Sequence, residues 1–394
     1  MSSRSRRHPA LPPLPEELDL PPPRWVQTPA ELSDMLDRLM SEPRVAVDTE
    51  ADSLFVYHYK VCLIQFSTPD VDYLVDPLAL DDLSPLGELF ATPRVEKVFH
   101  AAENDILMLK RGYQFRFANL FDTMIAARIL GWPRVGLAAL LEDRFGIRLD
   151  KRMQRTNWGQ RPLSPEQMAY ARLDTRYLLP LRDLLYRELL ARGRLEEALD
   201  AFEALTRVEY VEKPFDPEGF LRINGARDLT PRQLTVLREL YLWREECARR
   251  VNLPPFKVLS DRALVLLSQH QPTTLQALRR LPGLLGALRA RRGGEILAAI
   301  RRGRRAPLWT PSPRQPNGSL RPDEATWARY ERLREWRSRK ARERGVDLDV
   351  VLTNDVLLRI AREAPQSMEE LERLGLLSPW KLHSYGPELL KVMR

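Results

Sequence analysis

The sequence predicts a mixed α/β domain followed by two all-α helical bundles, and three observations carry that prediction. Strand and helix signals alternate from Trp25 to about residue 205, strand signals stop beyond about residue 222, and the rest of the chain repeats itself at an offset of 93 residues. A chain of 394 residues is also too long for one ordinary core and calls for several domains.

Residues 1–24 are rich in Pro and Arg and read as a flexible or polyproline tail. They hold no apolar stretch of the kind a secretion signal needs. Thr28-Pro-Ala-Glu31 has the form of a helix cap, and the helix it opens runs to about Met40. Arg44 to Asp48, Val61 to Ser67 and Asp72 to Asp76 read as strands, the last two joined by the turn residues Thr68-Pro69-Asp70. Val95 to Phe99 is a fourth strand and leads into a helix near Asn104. Further helices are expected near 121–131, 137–145 and 165–192. Strands in meander order followed by mixed strand and helix predict a mixed sheet flanked by helices. Residues 206–222 read as a linker.

The repeat needs no gap. Trp243-Arg244 superimposes on Trp336-Arg337, Ala248 on Ala341, Val258 on Val351, Leu264 on Leu357, Pro272 on Pro365 and Gly293 on Gly386. Two copies of one helical unit therefore span residues 223–306 and 323–394, separated by the Pro-rich linker 307–322. The tryptophans and the apolar stripes read as core.

The net charge of +8 is unevenly spread. Residues 1–222 carry 29 basic and 35 acidic side chains, whereas residues 223–306 carry 17 and 6. A basic surplus this concentrated points to a polyanion, most simply a nucleic acid. No run of 18 apolar residues is present, which excludes a membrane-spanning helix. Two distant cysteines, Cys62 and Cys247, exclude a disulfide framework and suit a reducing cytoplasm.

Chemistry is expected at carboxylates. Asp48 and Glu50 stand two apart at the end of a strand, so both project from one face, roughly 7 Å apart along the chain. Two neighbouring negative charges need neutralising, and oxygen-only ligands favour a hard divalent ion. The same triplet also occurs at solvated strand ends. Tyr170 and Asp174, four apart on a late helix, share a helical face. Between them lie His100 to Asp105, after a strand, and Leu120 to Thr123. Asp105 falls in a helix's first turn, and Asp122 has the position of an N-cap.

In that order these residues resemble the DEDD exonuclease superfamily. Leu63-Ile64-Gln65, Asp76-Pro77, Phe99-His100-Ala101, Gln154-Arg-Thr-Asn-Trp158 and Arg161-Pro-Leu163 narrow the resemblance to the ribonuclease D branch, over residues 25–205. The histidine form of the superfamily has its His where Ala169 stands, so Tyr170 marks the tyrosine form. Each C-terminal repeat resembles an HRDC domain.

The resemblance implies a ribonuclease H-like exonuclease fold and hydrolysis from RNA 3′ ends with two divalent ions, Mg²⁺ or Mn²⁺. Asp48, Glu50 and Asp174 would hold one ion, Asp48 and Asp105 the other, and Tyr170 would aim the attacking water. Expected partners are tRNA precursors or other structured RNA, with no membrane and no obligate protein partner. Arg249, Arg250, Lys257, Arg279, Arg280, Arg291 and Arg292 of the first repeat are the candidate RNA contacts. Two other readings compete, a DNA exonuclease and an inactive RNA-binding scaffold. The repeats carry no carboxylate cluster, so a fragment ending near Val211 is expected to keep the chemistry on short RNA.

Overall fold

The computed structural model describes residues 21–149, 152–212, 214–284, 291–310 and 323–393. Most of the expected N-terminal tail and of the second linker lies outside these residues.

Six strands form one sheet, β1 (Arg24–Val26), β2 (Arg44–Ala51), β3 (Val61–Ser67), β4 (Asp72–Val75), β5 (Glu96–Phe99) and β6 (Leu120–Asp122). Their spatial order is β1-β4-β3-β2-β5-β6. The β2/β3 and β3/β4 pairs are antiparallel, and the other three are parallel. All of β3 is buried, because helices cover both of its faces.

On one face pack α1 (Pro29–Ser41), α2 (Leu86–Ala91) and α3 (Glu103–Tyr113), meeting Val45, Val47, Ile64 and Phe66 in one core. Thr28 and Glu31 form the capping box expected of their spacing. On the other face pack α4 (Thr123–Ile129), α5 (Leu137–Phe145), α6 (Pro165–Arg176), α7 (Leu178–Ala191) and α8 (Leu195–Thr206).

Two expected helices are corrected. The helix over 165–192 is two helices divided at Tyr177, because Pro180 has no N–H to offer the Arg176 carbonyl. The helix near 121–131 starts later: Leu120–Asp122 pairs with β5 as a strand, and only then does Asp122 cap α4.

The two repeats are α9 (Pro231–Arg250), α10 (Pro255–Val258), α11 (Asp261–His270), α12 (Leu275–Arg279) and α13 (Gly293–Arg305), then α14 (Glu324–Arg344), α15 (Leu348–Val351), α16 (Asn354–Glu363), α17 (Met368–Arg373) and α18 (Pro379–Met393). Their internal bonds repeat with the sequence. Trp243 Nε1 donates to Glu295 at 3.0 Å, and Trp336 Nε1 to Glu388 at 2.7 Å. Arg244 donates to the Leu259 carbonyl and Asp261, and Arg337 to the Leu352 carbonyl and Asn354. Residues expected in the two linkers pack on the first bundle: Phe220 is fully buried in it, and Trp309 packs edge-on against Phe220 at 5.4 Å.

Each bundle also packs on the α/β domain. Asn252 of the first accepts from the backbone N–H groups of Tyr57 and His58, both at 3.1 Å, in the loop after β2. In the second, Arg344 pairs with Glu197, and Val346 and Val350 join the apolar cluster of α4, α7 and α8. The backbones meet so closely that a Cβ on Gly131 would lie 2.0 Å from the Gly345 carbonyl oxygen.

Candidate active site

β2 delivers Asp48 and Glu50 to the face that α6 covers, and α6 delivers Asp174. A carboxylate oxygen from each of the three can be chosen so that all lie within 4.8 Å of one another. They open into a cleft of about 450 Å³, lined also by His100, Leu137, Gln154 and Tyr170. Burial, then mutual repulsion, acts on all of them. Asp48 is pushed well above the usual carboxylate range, with Asp105 and Asp174 the strongest repelling neighbours. Glu50 is pushed up to about 9, chiefly by burial and by Asp174. Asp174 is pushed up to about 7 by burial, against the hydrogen bond that Tyr170 donates to it. Such a cluster ionises readily only when cations sit among the oxygens, and an all-carboxylate donor set suits a hard divalent ion.

Asp105 lies outside that group of three. It belongs to α3, beyond the opposite sheet face, and reaches the strand end where the Thr49 hydroxyl donates to it. Burial pushes it up to about 7. Thr49 was not singled out in the sequence, although its place between Asp48 and Glu50 alternates it to Asp105's side of the sheet.

Tyr170 donates to Asp174 and accepts from Gln154, so its hydroxyl is oriented on both sides. Burial and the charges of Asp174 and Glu50 raise it above the ordinary phenol value. The phenol therefore holds its proton at neutral pH. Gln154 belongs to a segment the sequence highlighted without giving this residue a role.

Asp122 does more than cap α4. One carboxylate oxygen accepts from Met124 and Ile125 in that cap, and the pair also accept from Ala101 and Ala102. Ala101 sits at φ 61°, a left-handed conformation that a non-glycine residue holds only when its surroundings impose it. The clamp fixes the turn between β5 and α3, and so places both His100 and Asp105. The Thr123 hydroxyl donates to the Phe99 carbonyl at 3.0 Å, and His100 Nδ1 lies 2.9 Å from that hydroxyl. Nδ1 must then be the donor. Burial lowers His100 to about 4, so the ring is neutral and its lone pair is on Nε2.

The basic residues divide into two groups. Arg249 bonds Tyr57 and Glu245, Arg250 bonds Glu295, and the Lys257 ammonium lies 3.8 Å over the Phe55 ring. Those three are nonetheless exposed, as are Arg279, Arg280 and Arg291, while Arg292 is half-buried at the start of α13.

The comparisons agree with this architecture. Residues 23–190 match the family model described as 3′-5′ exonuclease, and residues 233–300 and 327–393 each match the HRDC domain model. A ribonuclease D of Gluconacetobacter diazotrophicus is 32% identical over 94% of this chain and 93% of its own length. The exosome complex exonuclease RRP6 of Saccharomyces cerevisiae is 36% identical over 64% of this chain, which spans only 36% of that longer protein. The crystal structure of the catalytic core of RRP6 from Trypanosoma brucei superimposes with a TM-score of 0.68 at 27% identity, covering 74% of this chain and 82% of that one. With the α/β domain, both helical repeats and near-complete coverage in common, the chain belongs to the ribonuclease D family of 3′→5′ exoribonucleases.

Proposed function

We propose that this protein removes nucleoside 5′-monophosphates one at a time from the 3′ ends of tRNA precursors or other structured RNA, in the cytoplasm, using two Mg²⁺ or Mn²⁺ ions. The observation that carries the reading is the convergence of Asp48, Glu50 and Asp174 within 4.8 Å, in a cleft that Tyr170 also lines. Asp48, Glu50 and Asp174 would hold one ion, and Asp48 with Asp105 would hold the other. When bound, such ions would lower the pKa of a bound water and offset charge on the phosphate.

The protein's own groups do the rest. Tyr170, steadied by Gln154, orients the attacking water and takes no proton from it. Thr49 fixes the Asp105 carboxylate, and the Asp122 clamp fixes the turn that carries it. The half of the chain holding the carboxylates is net negative and repels an RNA backbone, so the first bundle grips the rest of the substrate. Arg279, Arg280, Arg291 and Arg292 make most of that grip, with Arg249, Arg250 and Lys257 nearer the α/β domain. Cys62 and Cys247 are buried free thiols, which suits a reducing compartment.

RNA and DNA of equal sequence, labelled at either end, test the reading with Mg²⁺, Mn²⁺ or EDTA. Mononucleotides should accumulate from the 3′ end of RNA, with EDTA or Asp48→Ala stopping release. Oligonucleotide products, or activity that survives both treatments, would overturn it.

A further inference from the structure

Gln65 is fully buried, yet neither its Oε1 nor its Nε2 has a hydrogen-bond partner. Both the donor and the acceptor of a buried primary amide are left unmade, which native structures rarely tolerate without a reason. Its position in the sheet supplies one. On β3, Gln65 stands directly opposite Asp48 of β2 and opposite Leu74 of β4. Opposite residues of an antiparallel pair share a face, with Cβ atoms roughly 4.5–5.5 Å apart.

That face lies under α6. Two residues along β3, Ser67 shares a 2.7 Å hydrogen bond with Thr175. Two residues back, Leu63 packs with Tyr170 and Ala171. Gln65 therefore sits beneath the turn of α6 that carries Asp174, beside Asp48 and on the buried side of the carboxylate cluster. A carboxylate holding a cation keeps lone pairs to fill, and such ligands are commonly held by a hydrogen bond from behind.

We propose that Gln65 is a positioning residue of the metal centre, whose amide N–H donates to the Asp48 carboxylate when that carboxylate holds its ions. The inference rests on the metal reading above. In the ion-free protein the amide has no partner, and its bond to Asp48 forms as the ions bind.

Mn²⁺ binding to the full-length protein, without RNA, tests this by calorimetry and by the electron paramagnetic resonance of free Mn²⁺. Gln65→Met, of similar length but without the amide, should bind Mn²⁺ roughly 10–100-fold more weakly. Gln65→Leu gives the same reading if the longer side chain does not fit. Ile64→Val, which loosens the opposite face of the same strand, should retain wild-type affinity. Wild-type affinity in the folded Gln65 variants overturns the inference, as does an equal loss in Ile64→Val. Wild-type protein that takes up no Mn²⁺ overturns the metal reading itself, and this inference with it.

Discussion

Arg344 reaches from the second bundle into the α/β domain and pairs with Glu197, which is only 2% exposed. The pair joins two domains through a buried charge, so neither surface is free to stand alone. Removing one partner of a buried pair typically costs about 3–5 kcal/mol, because the other charge stays buried without compensation. Arg344→Ala should lose that much in urea denaturation, and Arg344→Met combined with Glu197→Leu should recover most of it. A single mutant as stable as wild type would mean that Glu197 finds water when Arg344 leaves.

The same joint changes what truncation does. Ending the chain near Val211 strips the apolar cluster of Val346 and Val350 and leaves Glu197 without Arg344. That fragment should melt well below full-length protein, or aggregate, before any loss on tRNA-sized substrates can be read. Removing only the first bundle's contribution, by Asn252→Ala with Tyr57→Phe, is the gentler comparison. Differential scanning calorimetry decides between them.

Metal-free protein should lose stability as pH rises. Burial holds Asp174 at about 7 and Glu50 at about 9, both above their unfolded values. The folded state therefore binds more protons than the unfolded one, and the advantage present below about pH 4 disappears as pH climbs through those values. In EDTA at pH 8, Asp174→Asn should raise the melting temperature by about 1–2 °C for each kcal/mol of repulsion relieved, since in a chain of 394 residues the unfolding entropy is large. The same variant should lose the stabilisation that Mg²⁺ gives wild type. An Asp174→Asn protein less stable than wild type in EDTA would contradict the repulsion.

Tyr170→Phe should keep RNA affinity and lower kcat by about 100-fold, the order of loss from misplacing a reacting group by an ångström. Because the phenol is held above its ordinary value, the variant's pH–rate profile between pH 7 and 9 should parallel that of wild type. A basic limb lost with the hydroxyl would make Tyr170 a proton acceptor instead.

Replacing Arg279, Arg280, Arg291 and Arg292 together should shallow the salt dependence of single-stranded RNA binding by up to roughly 3 units of log–log slope. Replacing Arg249 and Lys257 should change that slope little and lower the melting temperature, since they contact Tyr57 and Phe55. A reversed pattern would place the RNA on the other side of the bundle.

The sequence by itself determined the chemistry-bearing residues and the repeat. Asp48 and Glu50 are two apart on a strand, and Tyr170 and Asp174 are four apart on a helix, so local periodicity alone puts each pair on one face. An offset of 93 residues was equally legible, and it reappears as matched bonds from Trp243 and Trp336. Tertiary structure decided the rest, because it joins residues that no local spacing relates. Sheet register sets Gln65 opposite Asp48, and the turn held by Asp122 brings Asp105 round the strand end to Thr49. Domain packing turned Arg249 and Lys257 from free basic groups into contacts with the loop after β2. A surface arginine reads the same in sequence whether water or another domain covers it, since only the folded chain chooses its neighbours.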